Sequence, residues 1–303
     1  AYLDAEWRAM SRRINAAIAA NRADMTEAAV SFPIGLYTDP ARFQAEKDVL
    51  FRTTPLLAGF SSELAAPGDV LLFDGAGPGI FITRREDGSL SAYLNVCPHR
   101  GARLVREAER RRVFTCPYHA WSFSPDGALV KQPLAECFEG HEGLGLTSVP
   151  VAEKYGLVFV RAAPSGAPID VDAFLGPMAP LMESLELHAA APVAKDVHAA
   201  QTNWKLALDT GCEGYHVPAT HTRSIAPQLV PFLTIHDSFG RLLIFHFIHR
   251  RKQHAAIPTI QHSLHARVIA DVGLRAGGGA TNRHKTDHQR EWRSHSSSTP
   301  GYA

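Results

Sequence analysis

Two short motifs in the chain combine cysteine with histidine, side chains that hold zinc and iron–sulfur centres in proteins. The first contains Cys97 and His99, the second contains Cys116 and His119, and a proline follows the cysteine in both. Sixteen residues separate the motifs, which is enough for two short strands and a turn. Two loops at the ends of such strands can hold one metal centre from opposite sides. The motifs therefore predict a centre with two thiolate and two imidazole ligands.

Three interpretations of these four residues compete. A chance grouping does not account for two Cys/His pairs that share the same proline. A structural zinc site commonly places two cysteines in one motif and two histidines in the other, whereas each motif here is mixed. In a Rieske [2Fe–2S] cluster, two cysteines bind one iron and two histidines bind the other, so mixed motifs let each loop reach both irons. The sequence favours this cluster, with structural zinc as the alternative.

A second group of candidate metal ligands follows about a hundred residues later and contains Glu213, His216 and His221. On a helix, Glu213 and His216 would share a face. Pro218 is expected to interrupt that helix, so that His221 can turn towards the same metal. Two imidazoles and one carboxylate form the facial triad of non-haem Fe(II) oxygenases, which leaves positions open for O₂ and substrate. Two ordinary histidines at a helix end are the alternative interpretation.

Both groups lie in segments that resemble the Rieske non-haem iron oxygenases. The resemblance rests on LNVCPHRGARLV and FTCPYHAWSFSPDG in the first region and on NWKLALDTGCEGYHVPATH in the second. Residues 35–165 are similar to the N-terminal Rieske domain of that family. The chain is therefore identified as a member, similar to the large (α) subunits of aromatic ring-hydroxylating dioxygenases and of carnitine-monooxygenase-like enzymes.

The resemblance implies a role for each candidate residue. His216 and His221 bind a mononuclear Fe(II). Glu213 occupies the place of a catalytic carboxylate that hydrogen-bonds towards a Rieske histidine, His119 here, of the neighbouring subunit in a homotrimer. This residue is usually Asp in ring-hydroxylating dioxygenases, whereas Glu resembles the carnitine and other quaternary-amine monooxygenases. The implied ligands of the [2Fe–2S] Rieske cluster are Cys97, His99, Cys116 and His119.

The implied function is that of a Rieske-type oxygenase α subunit. Such a subunit accepts electrons from a separate NAD(P)H-dependent reductase or ferredoxin and hydroxylates an aromatic or other small organic substrate with O₂, as a mono- or dioxygenase. The alternative comes from a different class: an electron-transfer protein or non-catalytic remnant that keeps only the Rieske cluster.

The C-terminal region departs from the family pattern. The third iron ligand of the family is a carboxylate well over a hundred residues beyond the second histidine, yet only 82 residues follow His221. We expect the similarity to end near Arg241 and interpret the chain as truncated or frameshifted there. The acidic residues that remain lie in no recognisable motif: Asp237, Asp271, Asp287 and Glu291.

Helices and strands predicted from the sequence must position these residues. Together they indicate an α+β fold in four segments. Residues 1–45 form an N-terminal helical segment, and residues 46–165 form an all-β Rieske domain. Residues 166–250 form part of an α/β helix-grip catalytic domain, and residues 251–303 are an atypical tail, expected to be disordered. Within these segments we predict helices at 3–29, 171–187 and 203–215, a short helix from Asp39-Pro40, a strand at 191–200, and one or two strands at 232–248.

Composition limits the partners of the protein. The 31 basic and 30 acidic side chains nearly cancel, so nothing indicates nucleic acid or an anionic membrane surface. The charged N-terminal residues lead into no apolar signal segment, and no apolar run reaches the ~18 residues of a membrane span. We therefore expect a cytoplasmic protein. In that reducing compartment, the four cysteines are expected to bind metal rather than to form disulfides.

Overall fold

The computed structural model describes residues 2–22, 30–75, 77, 79–138, 144–164, 166–195, 197, 200–239 and 242–249. The predicted tail at 251–303 lies outside these residues, and with it lie Asp271, Asp287 and Glu291. The described part is an α+β structure with a β-rich region between two regions that contain the helices.

The first helix, α1 (Tyr2–Ala20), is shorter than the predicted helix at 3–29. Asn21 takes a left-handed conformation with φ of 49°. Its N–H bonds to the carbonyl of Ile18, and the N–H of Arg22 bonds to the carbonyl of Ala17, which is a Schellman ending. Asparagine tolerates this backbone conformation better than most residues, so the helix stops here. Residues 23–29 lie outside the described part.

Two short helices precede the β-rich region, α2 (Gly35–Thr38) and α3 (Pro40–Glu46). The prediction at Asp39-Pro40 is confirmed. The Asp39 carboxylate accepts a hydrogen bond of 2.8 Å from the N–H of Ala41, and proline suits the first helical turn because it needs no N–H partner there. A wider helical turn over Lys47–Phe51 continues α3.

The β-rich region contains three antiparallel sheets in the described residues, with strand orders β1-β9-β8, β2-β3-β4 and β5-β6-β7. The Asp-Gly turns at 87–88 and 126–127 connect β3 to β4 and β6 to β7, as predicted. The strands are β1 (Leu56–Phe60), β2 (Val70–Phe73), β3 (Ile80–Arg84), β4 (Leu90–Leu94), β5 (Phe114–Thr115), β6 (Ser122–Phe123), β7 (Leu129–Lys131), β8 (Val151–Lys154) and β9 (Leu157–Val160).

Strand β3 lies at the centre of this region because both of its faces are buried. Successive side chains of a strand point to opposite faces. Ile80 and Ile82 join one apolar cluster with Val158 of β9, whereas Phe81 joins a second cluster and contacts Phe114 at 4.6 Å between ring centroids. The second cluster also contains Cys97 and Cys116, so the core of the domain extends directly to the two cysteines.

The C-terminal region differs from the predictions in three places. The predicted helix at 171–187 is broken at Gly176-Pro177, and the helix predicted at 203–215 ends at Gly211. The described residues of 191–200 form no strand, since no neighbouring strand pairs with them. The prediction of one or two strands at 232–248 is confirmed, and the structure has two strands that form a hairpin. The elements are α4 (Val171–Leu175), α5 (Ala179–Ser184), α6 (Trp204–Gly211), α7 (Val217–Thr220), β10 (Leu229–Phe239) and β11 (Leu242–His249).

Close contacts join the C-terminal region to the rest of the chain. Gly156, in the turn between β8 and β9, has a φ of 76° and packs on the backbone of Leu187 and His188, where an added Cβ would come within 2.2 Å. In the N-terminal segment, Arg13 of α1 forms an ion pair with Asp237 of β10. No helix in the described part of the chain is long and apolar enough to cross a bilayer.

Candidate functional site

The first cysteine–histidine motif forms a tight loop after β4. The N–H of Cys97 donates to the carbonyl of Ala102 at 2.8 Å, and the N–H of Gly101 donates to the carbonyl of Cys97 at 2.9 Å. Gly101 has a φ of 73°, a conformation that glycine adopts without strain. The loop therefore folds back on its own cysteine and leaves His99 at its outer end.

The second motif repeats this geometry between β5 and β6. The N–H of Cys116 donates to the carbonyl of Trp121 at 2.7 Å, and the N–H of Ala120 donates to the carbonyl of Cys116 at 3.0 Å. The left-handed position is occupied by Ala120, with a φ of 58°. An alanine in this conformation carries about 1–2 kcal/mol of strain. The two loops are thus structurally equivalent, and only the second stores strain.

The loops bring the four predicted cluster residues together. Cys97 and Cys116 are both buried, and the imidazole rings of His99 and His119 lie 4.7 Å apart between centroids. Burial raises the pKa of Cys97, and the adjoining Cys116 thiol raises it further. None of the four cysteines, which all lie within the described residues, forms a disulfide. The site therefore has two sulfurs on the inside and two imidazoles towards the surface.

One nitrogen at this site indicates what it can bind. Nδ1 of His119 is buried and has no hydrogen-bond partner among the described residues. A buried polar nitrogen without a partner is costly, whereas a metal bond at that nitrogen would satisfy it. With two thiols beside two imidazoles, the donor set fits a [2Fe–2S] cluster of the Cys₂His₂ type.

Two buried residues hold these candidate ligands in place, and the sequence analysis missed both. The Trp121 indole stacks on the His99 ring at 4.6 Å with 5° between the planes, and Phe138 contacts both rings edge-on. Desolvation and the nearby His119 and Arg100 lower the pKa of His99, which favours the neutral, metal-binding imidazole. The signal in the sequence was the aromatic residue two positions after the second motif's histidine.

The second buried residue is Asn95, at the start of the first loop. Its side-chain oxygen accepts from the N–H groups of Leu104 and Val105 at 3.1 and 2.8 Å, and its side-chain nitrogen donates to the carbonyl of Val105 at 2.7 Å. These bonds fasten both ends of the segment that carries Cys97 and His99. A lone asparagine gives no sequence signal for such a role.

The second group of candidate ligands lies in a turn rather than on one helix. Helix α6 ends at Gly211, and the carboxylate of Glu213 accepts hydrogen bonds from the N–H groups of Tyr215 and His216 and from Nδ1 of His216. Burial would raise the pKa of Glu213, but the bonds from His216 and Tyr215 outweigh burial and lower it. The contact between Glu213 and His216 therefore arises from a carboxylate-capped turn.

Proline also acts differently from the prediction. Pro218 stands in the first turn of α7 and begins a helix rather than ending one, because its missing N–H needs no partner there. The short helix turns the chain so that the His216 and His221 rings lie 5.4 Å apart. Since Glu213 occupies Nδ1 of His216, the other ring nitrogen is left for a metal.

The two histidines fit two of the three positions of a facial triad. Within the described residues, no three His, Cys, Asp or Glu side chains gather around a single-ion position. Of the four acidic residues considered for the third position, only Asp237 is described, and it is paired with Arg13. The other three lie outside the described part.

Two family models match the chain. The Rieske [2Fe-2S] domain matches residues 54–151, and the catalytic domain of the ring hydroxylating alpha subunit matches residues 187–301. The second match extends well past Arg241, where the sequence analysis expected the similarity to end. The domain boundaries predicted from the sequence stay predictions.

Individual relatives agree with these models. The carnitine monooxygenase oxygenase subunit of Escherichia coli (strain K12) is 34% identical over 195 residues, which cover 63% of this chain and 52% of that protein. The 2-halobenzoate 1,2-dioxygenase large subunit of Burkholderia cepacia is 30% identical over 205 residues, which cover 63% of this chain and 43% of that protein. The chain spans about half the length of the curated relatives it matches.

Solved structures give the same result. The quaternary ammonium Rieske monooxygenase CntA with L-carnitine has a TM-score of 0.64 at 28% identity, over 72% of this chain and 62% of that chain. Naphthalene 1,2-dioxygenase with indole has a TM-score of 0.54 at 29% identity, over 64% of this chain and 45% of that chain.

Fold and donor groups together define an iron–sulfur protein with a ring-hydroxylating type of catalytic domain. Both matched domains are those of the Rieske non-haem iron oxygenases, and the chain is similar to the oxygenase and large subunits of that family. The Rieske domain implies a [2Fe–2S] cluster, and the catalytic domain implies a mononuclear non-haem iron.

The equivalent left-handed positions of the two loops make a paired prediction. Ala120→Gly should stabilise the domain by about 0.5–1 kcal/mol, because relief of strain exceeds the entropy that glycine adds to the unfolded chain. Gly101→Ala should destabilise it by a similar amount, since nothing lies within 4 Å of the added Cβ and only backbone strain is introduced. Denaturant unfolding followed by visible absorbance measures both shifts. Shifts of the same sign would contradict the equivalence of the loops.

Proposed function

We propose that the chain acts as the α subunit of a Rieske-type oxygenase, which hydroxylates a small organic substrate with O₂. The observation that carries this proposal is the turn in which Glu213 orients His216 beside His221. A protein that only carries electrons has no need of a second pair of imidazoles oriented in this way. This is why the electron-transfer remnant is the weaker candidate.

The proposed ligands follow from the geometry of the described residues. His216 and His221 would hold the mononuclear Fe(II), with Glu213 fixing the ring orientation of His216. When bound, the cluster supplies one-electron transfer and the Fe(II) supplies O₂ activation. Trp121 holds the His99 ring by stacking. The ligands proposed for the cluster are Cys97, His99, Cys116 and His119.

Glu213 is also the proposed link between subunits. Its carboxylate faces partly to solvent, so it can accept a further hydrogen bond besides those within its own turn. Next to His119, the side chain of Tyr118 is 60% exposed, which leaves the outer edge of the Rieske site open to a partner. We therefore propose that Glu213 approaches His119 of the partner subunit in a homotrimer. Inter-subunit electron transfer is described for a quaternary ammonium Rieske monooxygenase with a similar structure.

For the substrate class, we propose a quaternary ammonium compound ahead of an aromatic hydrocarbon. Carnitine and glycine betaine monooxygenases stand among the relatives, and Glu213 resembles the carboxylate of that group. The halobenzoate and naphthalene dioxygenases support the aromatic alternative. We also propose that a separate NAD(P)H-dependent reductase or ferredoxin supplies the electrons. The proposed location is the cytoplasm.

Iron content tests the proposal against the remnant. The purified, anaerobically iron-loaded chain should contain about three irons and two sulfides, as a [2Fe–2S] cluster and one mononuclear site require. The double variant His216→Ala/His221→Ala should lose one iron and keep the visible spectrum of the cluster. Two irons in both proteins would favour the electron-transfer remnant.

The role of Glu213 can be tested separately from metal binding. Glu213→Gln keeps the shape of the side chain but removes the charge that the His216 ring and the proposed subunit contact require. With Fe(II) in excess during loading, we expect iron content to stay normal, while reoxidation of the reduced cluster by O₂ in the presence of carnitine or benzoate slows at least tenfold. Stopped-flow absorbance measures this rate. Reoxidation at the wild-type rate would remove Glu213 from the electron path.

A further inference from the structure

The helix that leads into the candidate iron site is held by the segment that precedes the Rieske domain. The side-chain nitrogen of Asn203, which caps α6, donates to the carbonyl of Tyr37 at 2.8 Å. The Tyr37 hydroxyl donates to the carboxylate of Asp209 at 2.9 Å. The Trp204 ring packs edge-on against Phe51 at 5.2 Å between centroids. These contacts join residues that lie more than 150 positions apart in the chain.

Glu46 of α3 lies at the centre of these contacts. The residue is 8% exposed, and it is the only buried carboxylate among the residues whose burial the structure describes. Both of its oxygens accept from Nζ of Lys205 at 2.6 Å, and it also accepts from Nε1 of Trp204 at 2.9 Å and from Nε of Arg42 at 3.1 Å. Burial would raise the pKa of Glu46, but the bonds from Lys205 and Trp204 outweigh burial and lower it.

A buried ion pair of this kind contributes more to geometry than to stability. Taking both charges out of water costs nearly as much as their attraction returns, and a well-packed apolar pair would often stabilise the fold equally well. Hydrogen bonds, in contrast, have fixed directions and lengths. Because Lys205 and Trp204 are adjacent on α6 and bind the same carboxylate, together they fix the rotation of the helix about its axis and its position along that axis.

This orientation passes directly to the candidate ligands. Helix α6 is eight residues long, so about 9 Å separates Lys205 from its end at Gly211. The N–H of Cys212 still bonds to the carbonyls of Leu208 and Asp209 at 3.0 Å, and Glu213 follows immediately. No flexible linker therefore separates the ion pair from the turn that orients His216.

We propose that Glu46 is a positioning residue for the mononuclear iron site, acting through α6 on Glu213 and His216. This inference rests on the proposed function, because it requires that His216 and His221 bind a metal. A purely structural anchor would change the stability of the protein but leave the affinity and spectrum of the metal site unaltered. Substitution of a positioning residue changes both the affinity and the spectrum of the metal site.

The test uses the cluster-loaded full chain and Co(II), whose visible ligand-field bands report ligand geometry. Relative to wild type, Glu46→Gln should weaken Co(II) binding about tenfold and alter these bands, as substitutions behind a metal ligand do. The absorbance of the cluster should not change. Trp204→Phe deletes one hydrogen bond to Glu46 and keeps an aromatic ring against Phe51, so it should shift Co(II) affinity and bands in the same direction by a smaller factor.

Glu153→Gln is the matched control. Glu153 forms a bidentate pair with Arg84 at 2.6 and 2.8 Å within the β-rich region, far from α6 in the chain. This variant should lower thermal stability and keep wild-type Co(II) affinity and bands. Wild-type Co(II) binding by Glu46→Gln would overturn the inference, as would wild-type binding by Trp204→Phe if Glu46→Gln does not fold.

A different result would identify failure of the proposed function itself. If wild type binds Co(II) no more tightly than His216→Ala/His221→Ala, the two histidines form no metal site, and the positioning role of Glu46 is overturned with it. If wild type binds Co(II) through the histidines and the Glu46 and Trp204 variants match it, only the positioning role is overturned.

Discussion

The two Cys/His loops bury two thiols together with Nδ1 of His119, a nitrogen that has no hydrogen-bond partner in the part of the chain that the structure describes, and the β-rich domain is arranged around this unfavourable grouping. A bound metal centre would turn the grouping from a cost into a stabilising core element, since each donor atom would gain a bond. The surrounding structure is built to keep the donors together. β3 carries apolar clusters on both faces, Asn95 fastens one loop, and Trp121 stacks on the ring of His99.

The chain order shows a second constraint, because the segment before the Rieske domain packs on the region after it. Glu46 receives Lys205 and Trp204 from α6, and Arg13 pairs with Asp237 on β10. The Rieske domain therefore lies between two stretches of chain that contact each other. In this arrangement, the N-terminal helices pack with the region of the candidate iron site, although the sequence places them beside the Rieske domain.

Local patterns made much of the fold predictable from the sequence. The Asp-Gly hairpins, the Asp39-Pro40 helix start and the paired Cys/His motifs depend on residues a few positions apart, and the structure has the hairpins and the helix start where they were predicted. The prediction was wrong where a hydrogen bond to a nearby residue, rather than helical spacing, determined the local structure. The carboxylate of Glu213 made a capped turn where helical spacing predicted a helix, and Pro218 began the helix it was expected to break.

Long-range polar contacts were beyond sequence reasoning for a similar reason. Nothing in the sequence near Glu46 indicates that its partners are Lys205 and Trp204, because the pairing exists only after the two ends of the chain have come together. The stack of Trp121 on His99 likewise depends on the loops meeting. The roles of the candidate ligands came from motif chemistry and resemblance, and their assignment as ligands remains a proposal.

The central claim is that the two loops hold one [2Fe–2S] cluster through two cysteines and two histidines. EPR with nitrogen ENDOR on the dithionite-reduced full chain tests this most directly. We predict a rhombic signal whose average g value lies below that of all-cysteine clusters, with coupling to two imidazole nitrogens, since the imidazoles lie on one iron only. A colourless protein with one zinc per chain, or a reduced cluster without nitrogen coupling, would contradict the account.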